Sequence, residues 1–308
     1  MFHIPVMVTH VCKILIWDRN GIYIDGTLGG GGHAKAILEH LDVDGKVIGI
    51  DQDDDALENA NRYLKNVGAR FISKKGNFQD IDKIAHQSDF ASVHGIFLDL
   101  GVSSYQIDTP ERGLSYRFDG PLDMRMSASN PVSAKEIINT CEEQELARIF
   151  KEYGEEKLAR KVARQIVRER KKKLFESTFE LRDAVVAVVP RQFQVKSLSR
   201  IFLALRIAVN EEFSALKQAL AASLTILKPE GRLVVLTYHS LEDRIVKQFF
   251  KQEQENCICP PAFPECVCGK TKRLDIITKK SIQPDNAEIL ANPRARSARL
   301  RAARRCAD

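Results

Sequence analysis

The chain has 308 residues, of which 44% are hydrophobic and 29% charged, with a formal net charge of +6. This composition supports a substantial buried core and argues against intrinsic disorder. Because no stretch approaches the roughly 20 apolar residues of a membrane span and the amino end lacks a secretory-signal pattern, we expect a cytoplasmic protein without membrane contact.

The first third of the chain alternates β-rich runs with helical patterns. The predicted strands are Ile22–Asp25, Lys46–Asp51, Arg70–Ile72 and Gly95–Asp99, and the predicted helices between them are Ala34–Leu41 and Asp54–Leu64. Such βαβ alternation is typical of a parallel sheet covered by helices on both faces. We therefore predict a doubly wound α/β domain.

Strand signals fade after about residue 108. The segment Glu156–Lys173 repeats apolar residues at helical spacing, and an amphipathic helix is predicted at Glu211–Leu227. Strand patterns return at Arg232–Thr237 and, more weakly, at Leu274–Thr278.

These patterns predict an α/β sheet domain interrupted by an all-helical insertion. The expected parts are residues 1–108 and 209–308 for the sheet domain and 109–208 for the insertion.

A glycine-rich turn follows the first predicted strand. Asp25 ends that strand, and four consecutive glycines, Gly29 to Gly32, precede the first of the predicted helices. Glycine permits positive φ and close approach to a ligand, and the first N–H groups of a helix are unpaired and point towards it. The turn therefore predicts a nucleotide-cofactor site.

Two cofactors compete for this turn. Gly29-x-Gly31-x-x-Ala34 fits the dinucleotide fingerprint, with Asp51 as the acid that ends the second strand. However, Asp25 adds the acid-x-x-x-Gly-x-Gly arrangement of methyltransferases that use S-adenosylmethionine (SAM). A carboxylate here repels a pyrophosphate but accepts hydrogen bonds from the cationic methionine end of SAM. SAM is the favoured cofactor, with a dinucleotide and a ligand-free turn as alternatives.

Further polar and aromatic residues follow the other predicted strands. Asp99 ends the Gly95–Asp99 strand, Gln106 lies shortly after it, and Phe78 follows the strand before it. Ligands bind at the carboxyl edge of such sheets, where an aromatic ring suits an adenine. We expect these residues to complete the site, although Phe78 also fits the core.

The chain resembles, almost end to end, the bacterial 16S ribosomal RNA cytosine-N4 methyltransferases, which modify a decoding-region cytidine of the small subunit. The resemblance rests on long motifs: His3–Val6, the Asp25–His33 turn, Asp99-Leu-Gly-Val-Ser-Ser104 with Gln106, Arg112-Gly113, Gly120–Met126, Ala204–Asn210, Tyr238–Arg244 and Asn292–Ser297. It implies a Rossmann-like class I SAM-dependent methyltransferase fold, methylation of the N4 amine, a helical insertion that handles RNA, and the small ribosomal subunit, rather than DNA, as the partner. Carried over by position, it implies that SAM is held by Gly31, Gly32, His33, Asp51, Phe78, Asp99 and Gln106.

The chemistry points to Asp99 as a catalytic residue. The C4 amine of cytosine is a poor nucleophile because its lone pair is delocalised into the ring. A hydrogen-bond acceptor at its protons would localise that pair and stabilise the developing cation. Asp99 is the candidate acceptor; if Asp99 instead binds only SAM, the acceptor must come from another loop.

Two basic segments are candidates for contact with RNA phosphates, although a solvated helix face is the ordinary alternative. They are the exposed face of the 156–173 helix (Lys157, Arg160, Lys161, Arg164, Arg168, Lys171, Lys172, Lys173) and the carboxyl-terminal arginines (Arg294, Arg296, Arg299, Arg301, Arg304, Arg305). Tyr105, Tyr116 and Phe118 are candidates for stacking on a splayed base or for the core of the insertion.

The chain has seven cysteines, and four of them lie together. Cys257, Cys259, Cys266 and Cys268 bracket a proline-rich loop, and four thiolates can hold a structural zinc tetrahedrally. Because the spacing is Cys-x-Cys, free thiols and a disulfide remain alternatives. The isolated Cys12, Cys141 and Cys306 fit a secreted disulfide framework poorly.

The run His239-Ser240 with Asp243 superficially suggests a hydrolase. Adjacent residues cannot readily adopt nucleophile–base geometry, so Ser240 is interpreted as a helix cap before Ile245–Phe250. Two rival functions are a non-catalytic RNA-binding ribosome-assembly factor and, less favoured, a dinucleotide-dependent oxidoreductase.

Overall fold

The computed structural model describes residues 5–127, 130–260 and 266–307, so the first two residues of the His3–Val6 motif lie outside it. The chain divides into two compact units, Met1–Gly101 with Phe213–Asp308, and Val102–Glu212. The boundaries between the units lie after Gly101 and after Glu212. The sequence patterns predicted these boundaries after residues 108 and 208.

The described strands of the first unit form one seven-stranded sheet. In chain order they are β1 (Ile22–Asp25), β2 (Lys46–Asp51), β3 (Phe71–Lys75), β4 (Val93–Asp99), β5 (Leu227–Thr237), β6 (Leu274–Ile276) and β7 (Arg299–Arg305). Their order across the sheet is β3-β2-β1-β4-β5-β7-β6; β1 to β5 pair in parallel, and β7 is antiparallel to β5 and β6. The direction of winding reverses between β1 and β4, where open α/β sheets bind ligands.

Helices cover both faces of the sheet and make up most of the second unit. In chain order they are α1 (Val8–Leu15), α2 (Gly32–His40), α3 (Asp54–Tyr63), α4 (Ile81–His86), α5 (Ser104–Asp108), α6 (Ala134–Thr140), α7 (Glu143–Glu152), α8 (Ala159–Arg170), α9 (Thr178–Val186), α10 (Gln194–Val209), α11 (Glu212–Ile226), α12 (Ser240–Gln254) and α13 (Asn286–Ala291). Short 3-10 helices lie at Lys65–Arg70, Phe78–Asp80, Pro110–Arg112, Arg191–Phe193 and Pro293–Ser297. Within the described ranges, no helix has both the length and the apolar character needed to cross a membrane.

The sheet has a buried core on each face. Tyr23 of β1 packs with residues of α1 and α2, whereas the next residue, Ile24, packs with residues of α4, α11 and α12. The nearly continuous apolar strands follow from this double burial. The predicted α/β class is confirmed.

The second unit has its own helical core. Leu146 and Phe150 of α7, Ile166 of α8 and Leu205 of α10 are buried in it. The predicted helix over residues 156–173 is present as the shorter α8, which buries one face and exposes Arg160, Lys161, Arg164 and Arg168. Lys157 and the lysines at 171–173 lie just outside this helix.

The arginine-rich end forms strand β7, which the sequence analysis did not predict. Arg301 is buried and its guanidinium donates two hydrogen bonds to the carboxylate of Asp243, at 2.7 and 3.0 Å. Arg304 pairs with Glu230 and Asp275 on neighbouring segments. These contacts fix β7 between β5 and β6.

This strand corrects the proposed composition of the basic surface. Arg301, Arg304 and Arg305 all bind other groups of the fold, Arg305 by donating to the carbonyl oxygen of Leu224 at 3.0 Å. The exposed members of the set are Arg294, Arg296 and Arg299.

The predicted helix cap, Ser240, is wrong by one residue at the start of α12. The cap residue is His239, whose side chain accepts a hydrogen bond from the N–H of Glu242, and Ser240 is the first helical residue. Because Asp243 is held by Arg301, the His-Ser-Asp run is part of the scaffold.

Candidate functional site

The glycine turn joins the carboxyl end of β1 to α2. Gly29 and Gly31 both have positive φ, 50° and 80°, which side chains with a Cβ rarely adopt. The turn is tied to the end of β2, because Leu28 N donates to Ile50 O and Gly29 N donates to Asp51 Oδ2, at 2.9 and 2.8 Å. The predicted strand–turn–helix junction is therefore present.

The glycines of the turn have different surroundings. A Cβ on Gly31 would lie 3.2 Å from Ala60 Cβ, and one on Gly32 would lie 3.0 Å from Pro5 Cγ. A Cβ on Gly29 would approach no described atom more closely than the carbonyl oxygen of Thr27, at 3.9 Å. Gly31 and Gly32 thus permit close packing behind the turn, whereas Gly29 borders open space.

Asp25 is a completely buried acid at the start of the turn. Its Oδ1 accepts a hydrogen bond from Thr27 N at 3.3 Å, whereas Oδ2 has no hydrogen-bond partner within the described parts of the chain. Burial is the main cause that raises the pKa of Asp25 to about 8; the charges of Asp99 and Asp51 act in the same direction, and the N–H of Thr27 acts against them. A buried polar atom left unpaired costs about 1–3 kcal/mol, so this oxygen is suited to a ligand that brings a donor or a cation.

Asp51 is fixed at the carboxyl end of β2. Its two oxygens accept hydrogen bonds from the N–H groups of Gly29 and Asp53, at 2.8 and 3.0 Å. Burial raises the pKa of Asp51, while these N–H groups favour its ionised form. The carboxylate is held rigidly beside the open side of the turn.

Asp99, at the carboxyl end of β4, is held by hydrogen bonds to Tyr238 and Thr27. Tyr238 donates its hydroxyl to Oδ1 at 2.8 Å, and Asp99 N donates to Thr27 Oγ1 at 2.6 Å. The ring of His33 places Nδ1 3.5 Å from Oδ2. The side chain of Asp99 remains 11% exposed, so it is accessible from the edge of the sheet.

His33 is buried in the first turn of α2 against Phe97, with ring centroids 4.6 Å apart. Burial lowers the pKa of His33 to about 4, so the ring is neutral at pH 7 and its approach to Asp99 is not an ion pair. Nε2 lies 2.9 Å from the carbonyl oxygen of Val6, which can only accept. We therefore assign the proton to Nε2, and Nδ1 presents a lone pair towards Asp99.

The remaining predicted cofactor residues lie in different units. Phe78 follows β3, and its Cβ is 3.5 Å from the place that a Cβ on Gly26 would occupy, so it lies beside the turn. Gln106 belongs to the second unit, where it forms a capping box with Ser103 at the start of α5. The first unit thus brings six of the seven predicted residues to one sheet edge: Gly31, Gly32, His33, Asp51, Phe78 and Asp99.

Tyr238 was not predicted as a site residue. It follows Thr237, the last residue of β5, and β5 pairs with β4, so it emerges at the same edge as Asp99. An aromatic hydroxyl directly after a buried strand was the available signal. Its relation to Asp99 depends on the strand order, which the sequence does not give.

The carboxyl ends of β2, β1 and β4 place three acids, Asp51, Asp25 and Asp99, around the turn. A cationic ligand group in this buried site stabilises the ionised form of these carboxyls, whereas a pyrophosphate has no favourable interaction with them. The arrangement suits a positively charged cofactor better than a dinucleotide.

The sequence matches the profile of the MraW methylase family over residues 1–306. The chain belongs to the MraW methylase family. Proteins named ribosomal RNA small subunit methyltransferase H are 48% identical in Carboxydothermus hydrogenoformans and 47% identical in Heliobacterium modesticaldum, each over 98% of this chain and 97% of the relative. The relative from Syntrophotalea carbinolica is 46% identical over 98% of both chains. A solved structure titled as a putative rRNA-methylase from Clostridium thermocellum covers 98% of this chain and 94% of its own at 12% identity, with a TM-score of 0.45, too distant to carry an argument.

Outside the sheet edge, this MraW-family chain presents basic residues on α8 and directly beside its two ends. Lys157, Arg160, Lys161 and Lys171 are exposed, and no carboxylate among the described residues pairs with them. The other basic residues of this group pair with acids: Arg164 with Glu143, Arg168 and Lys172 with Glu169, and Lys173 with Glu180. A cluster of cationic side chains is therefore available to an anion.

The candidate stacking aromatics include both exposed residues and a residue of the helical core. Tyr105 and Phe118 are exposed, whereas Tyr116 packs edge-on against Phe202 and forms a hydrogen bond with Ser199 in the helical core.

The four cysteines of the predicted metal site form a separate cluster between α12 and β6.

Proposed function

We propose that this chain is a SAM-dependent methyltransferase that modifies the N4 exocyclic amine of a decoding-centre cytidine in 16S rRNA of the small ribosomal subunit. Membership of the MraW methylase family supports methyl transfer, and the named relatives support a small-subunit rRNA substrate. The observation that carries the proposal is the unpaired, fully buried Oδ2 of Asp25 beside a glycine turn and two further acids. The reaction then belongs in the cytoplasm, where small subunits occur, and involves neither membrane nor DNA.

The cofactor is assigned to the carboxyl edge of β1, β2 and β4. When bound there, SAM supplies a methyl group activated by a positively charged sulfur. Asp25 offers its unpaired oxygen, Asp51 a fixed carboxylate, Phe78 an apolar surface and Gly29 an open backbone face. Gly31, Gly32 and His33 shape the turn, and Gln106 is the proposed contribution of the second unit.

Asp99 is assigned as the acceptor of the amine proton. A carboxylate oxygen at that proton localises the nitrogen lone pair for attack and stabilises the positive charge that develops. Tyr238 restricts rotation of the Asp99 carboxylate through its hydrogen bond to Oδ1, and Nδ1 of His33 lies 3.5 Å from Oδ2. Tyr238 acts by positioning Asp99.

The exposed basic residues on and beside α8 are assigned to RNA phosphates. Tyr105 and Phe118 are assigned as surfaces on which a splayed base stacks. Phosphate contacts make affinity fall as salt rises. Replacing Lys157 and Lys161 by Gln should weaken binding to small-subunit RNA and flatten its salt dependence, compared with the same changes at the ion-paired Lys172 and Lys173.

One experiment tests the whole function. Small subunits lacking the modification are incubated with the protein and methyl-labelled SAM, and their nucleosides are then analysed for N4-methylcytidine. We expect labelled N4-methylcytidine with the wild-type protein and with Asp44→Asn, an exposed control, and a strongly reduced amount with Asp99→Asn. RNA binding without labelled product would identify an assembly factor, and binding of a nicotinamide coenzyme would identify an oxidoreductase.

A further inference from the structure

Four cysteine thiols converge in the segment that links α12 to β6. The Sγ atoms of Cys257, Cys259, Cys266 and Cys268 all lie within 4.8 Å of one another. Two of the separations are 3.5 Å, between Cys266 and Cys268, and 3.8 Å, between Cys268 and Cys257. All four thiols are free.

These separations discriminate between the chemical alternatives. A disulfide joins two sulfur atoms at about 2.05 Å, which is far shorter than either measured distance. A zinc ion bound to four thiolates has Zn–S bonds of about 2.3 Å, so the sulfur atoms at the corners of the tetrahedron lie about 3.8 Å apart. The cluster has the dimensions of a tetrahedral metal site.

Backbone groups support thiolates at this position. The N–H of Cys259 donates to Sγ of Cys257 at 3.3 Å, and the N–H of Ile258 donates to Sγ of Cys268 at 3.5 Å. Such donors orient thiolate ligands and offset their negative charge.

The described contacts of this segment lie mainly at its base. Its base is tied to Glu253, whose carboxylate pairs with Lys270 and Arg273 at 3.5 and 2.6 Å. Beyond that base, Ile258 and Val267 are 59% and 74% exposed, so the apolar residues beside the cysteines do not form a core. Short segments without a core are commonly held by a metal or a disulfide.

We propose that Cys257, Cys259, Cys266 and Cys268 bind one Zn²⁺ ion in a structural four-thiolate site that closes this loop. Each thiol that ligates loses its proton to solvent, and with four protein ligands the ion keeps no open position for catalysis. The site is independent of methyl transfer and stabilises the connection between α12 and β6.

Metal analysis of the full-length protein, purified under reducing conditions without added zinc, tests the site. We expect about one zinc per chain in the wild type and in Cys306→Ser, whose cysteine lies outside the cluster, and less than about a tenth in Cys257→Ser/Cys268→Ser. Cobalt loaded into the chelated wild type should give the absorption bands of tetrahedral thiolate coordination, which the double variant should lack.

Hydrogen exchange provides a readout that does not depend on activity. Chelation should accelerate exchange within residues 255–273 while leaving SAM affinity unchanged. Zinc below about a tenth of an equivalent in the reduced wild type, zinc retained by the double variant, an iron–sulfur absorption spectrum, or a disulfide within the cluster would each overturn the proposal.

Discussion

The hydroxyl of Tyr238 donates a hydrogen bond to Oδ1 of Asp99 at 2.8 Å, joining the residue after β5 to the last residue of β4. Burial and the charge of Asp99 raise the pKa of Tyr238, so the hydroxyl keeps its proton and remains a donor throughout the working pH range. The bond restricts the rotation of the carboxylate.

Replacing this hydroxyl should slow catalysis without loss of substrate binding. For Tyr238→Phe we expect kcat to fall about tenfold, equivalent to about 1.4 kcal/mol, because Asp99 is no longer fixed. KM for SAM and for small subunits should change little. Steady-state kinetics with Tyr63→Phe, whose tyrosine is 52% exposed, as the control would check this; equal loss in both variants would contradict it.

The buried carboxyl of Asp25 should make the unliganded protein less stable as pH rises. Its folded pKa of about 8 lies above the ordinary value of 3.8, so the folded state holds a proton that the unfolded state has released, and stability falls between these values. His33 has the opposite effect, because its lowered pKa of about 4 makes stability rise up to pH 6.5. The clearest window is therefore pH 6.5 to 8.

Over that window the wild type should lose about 2 kcal/mol of unfolding free energy relative to Asp25→Asn, which carries no titrating group there. Urea unfolding at both pH values measures the difference. Parallel curves for the two proteins would show that Asp25 is ionised throughout.

The same carboxyl should make cofactor affinity depend on pH. A cationic ligand group favours ionised Asp25, so binding below pH 8 releases a proton and affinity should rise towards tenfold per pH unit between pH 6 and 7.5. Calorimetry in two buffers with different ionisation enthalpies would count that proton. An identical SAM affinity at pH 6 and pH 7.5, with no proton released on binding, would contradict this prediction.

Gly29 should be needed for the cofactor rather than for packing. Its φ is 50° and the space before it is open, so Gly29→Ala should cost about 1 kcal/mol of stability through backbone strain and lower SAM affinity at least about tenfold. Gly68→Ala is the control for backbone strain away from the turn, since Gly68 combines a φ of 61° with a ψ of −141°, a conformation nearly restricted to glycine. That variant should lose stability and keep its affinity.

The ion pair between Arg301 and Asp243 should be structural. Arg301→Ala leaves Asp243 buried without its partner, which typically costs about 3–5 kcal/mol. Thermal unfolding should show this loss, whereas the exposed Arg296→Ala should unfold like the wild type. The double variant Arg301→Leu/Asp243→Leu should recover most of the stability; failure to recover would indicate that packing, not charge, dominates.

Local patterns predicted the first half of the sheet and the glycine turn well. The strand ending in Asp25, its glycines and the following helix are neighbours in sequence, and their geometry is set by backbone rules that act over a few residues. The acids Asp51 and Asp99 could also be placed, because parallel strands bring their carboxyl ends to a common edge.

Two other features could not be predicted from local patterns. Strand β7 was missed because its arginines suggested a solvated or RNA-binding segment. The acids that pair with these arginines, such as Asp243, are distant in sequence. Tyr238 was missed because its role requires β5 to lie beside β4. Both depend on which strands become neighbours, and that is decided by packing of the whole unit.

The position of β7 between β5 and β6 also constrains the order in which the polypeptide folds during synthesis. Until Arg299–Arg305 has been translated, the outer side of β5 is an unpaired edge, the kind of surface that invites aggregation. The segment Val102–Glu212 is continuous and can acquire its structure earlier, whereas the discontinuous unit must wait for its late strand. Truncated translation products that end before residue 299 should therefore be targets for chaperones and proteases.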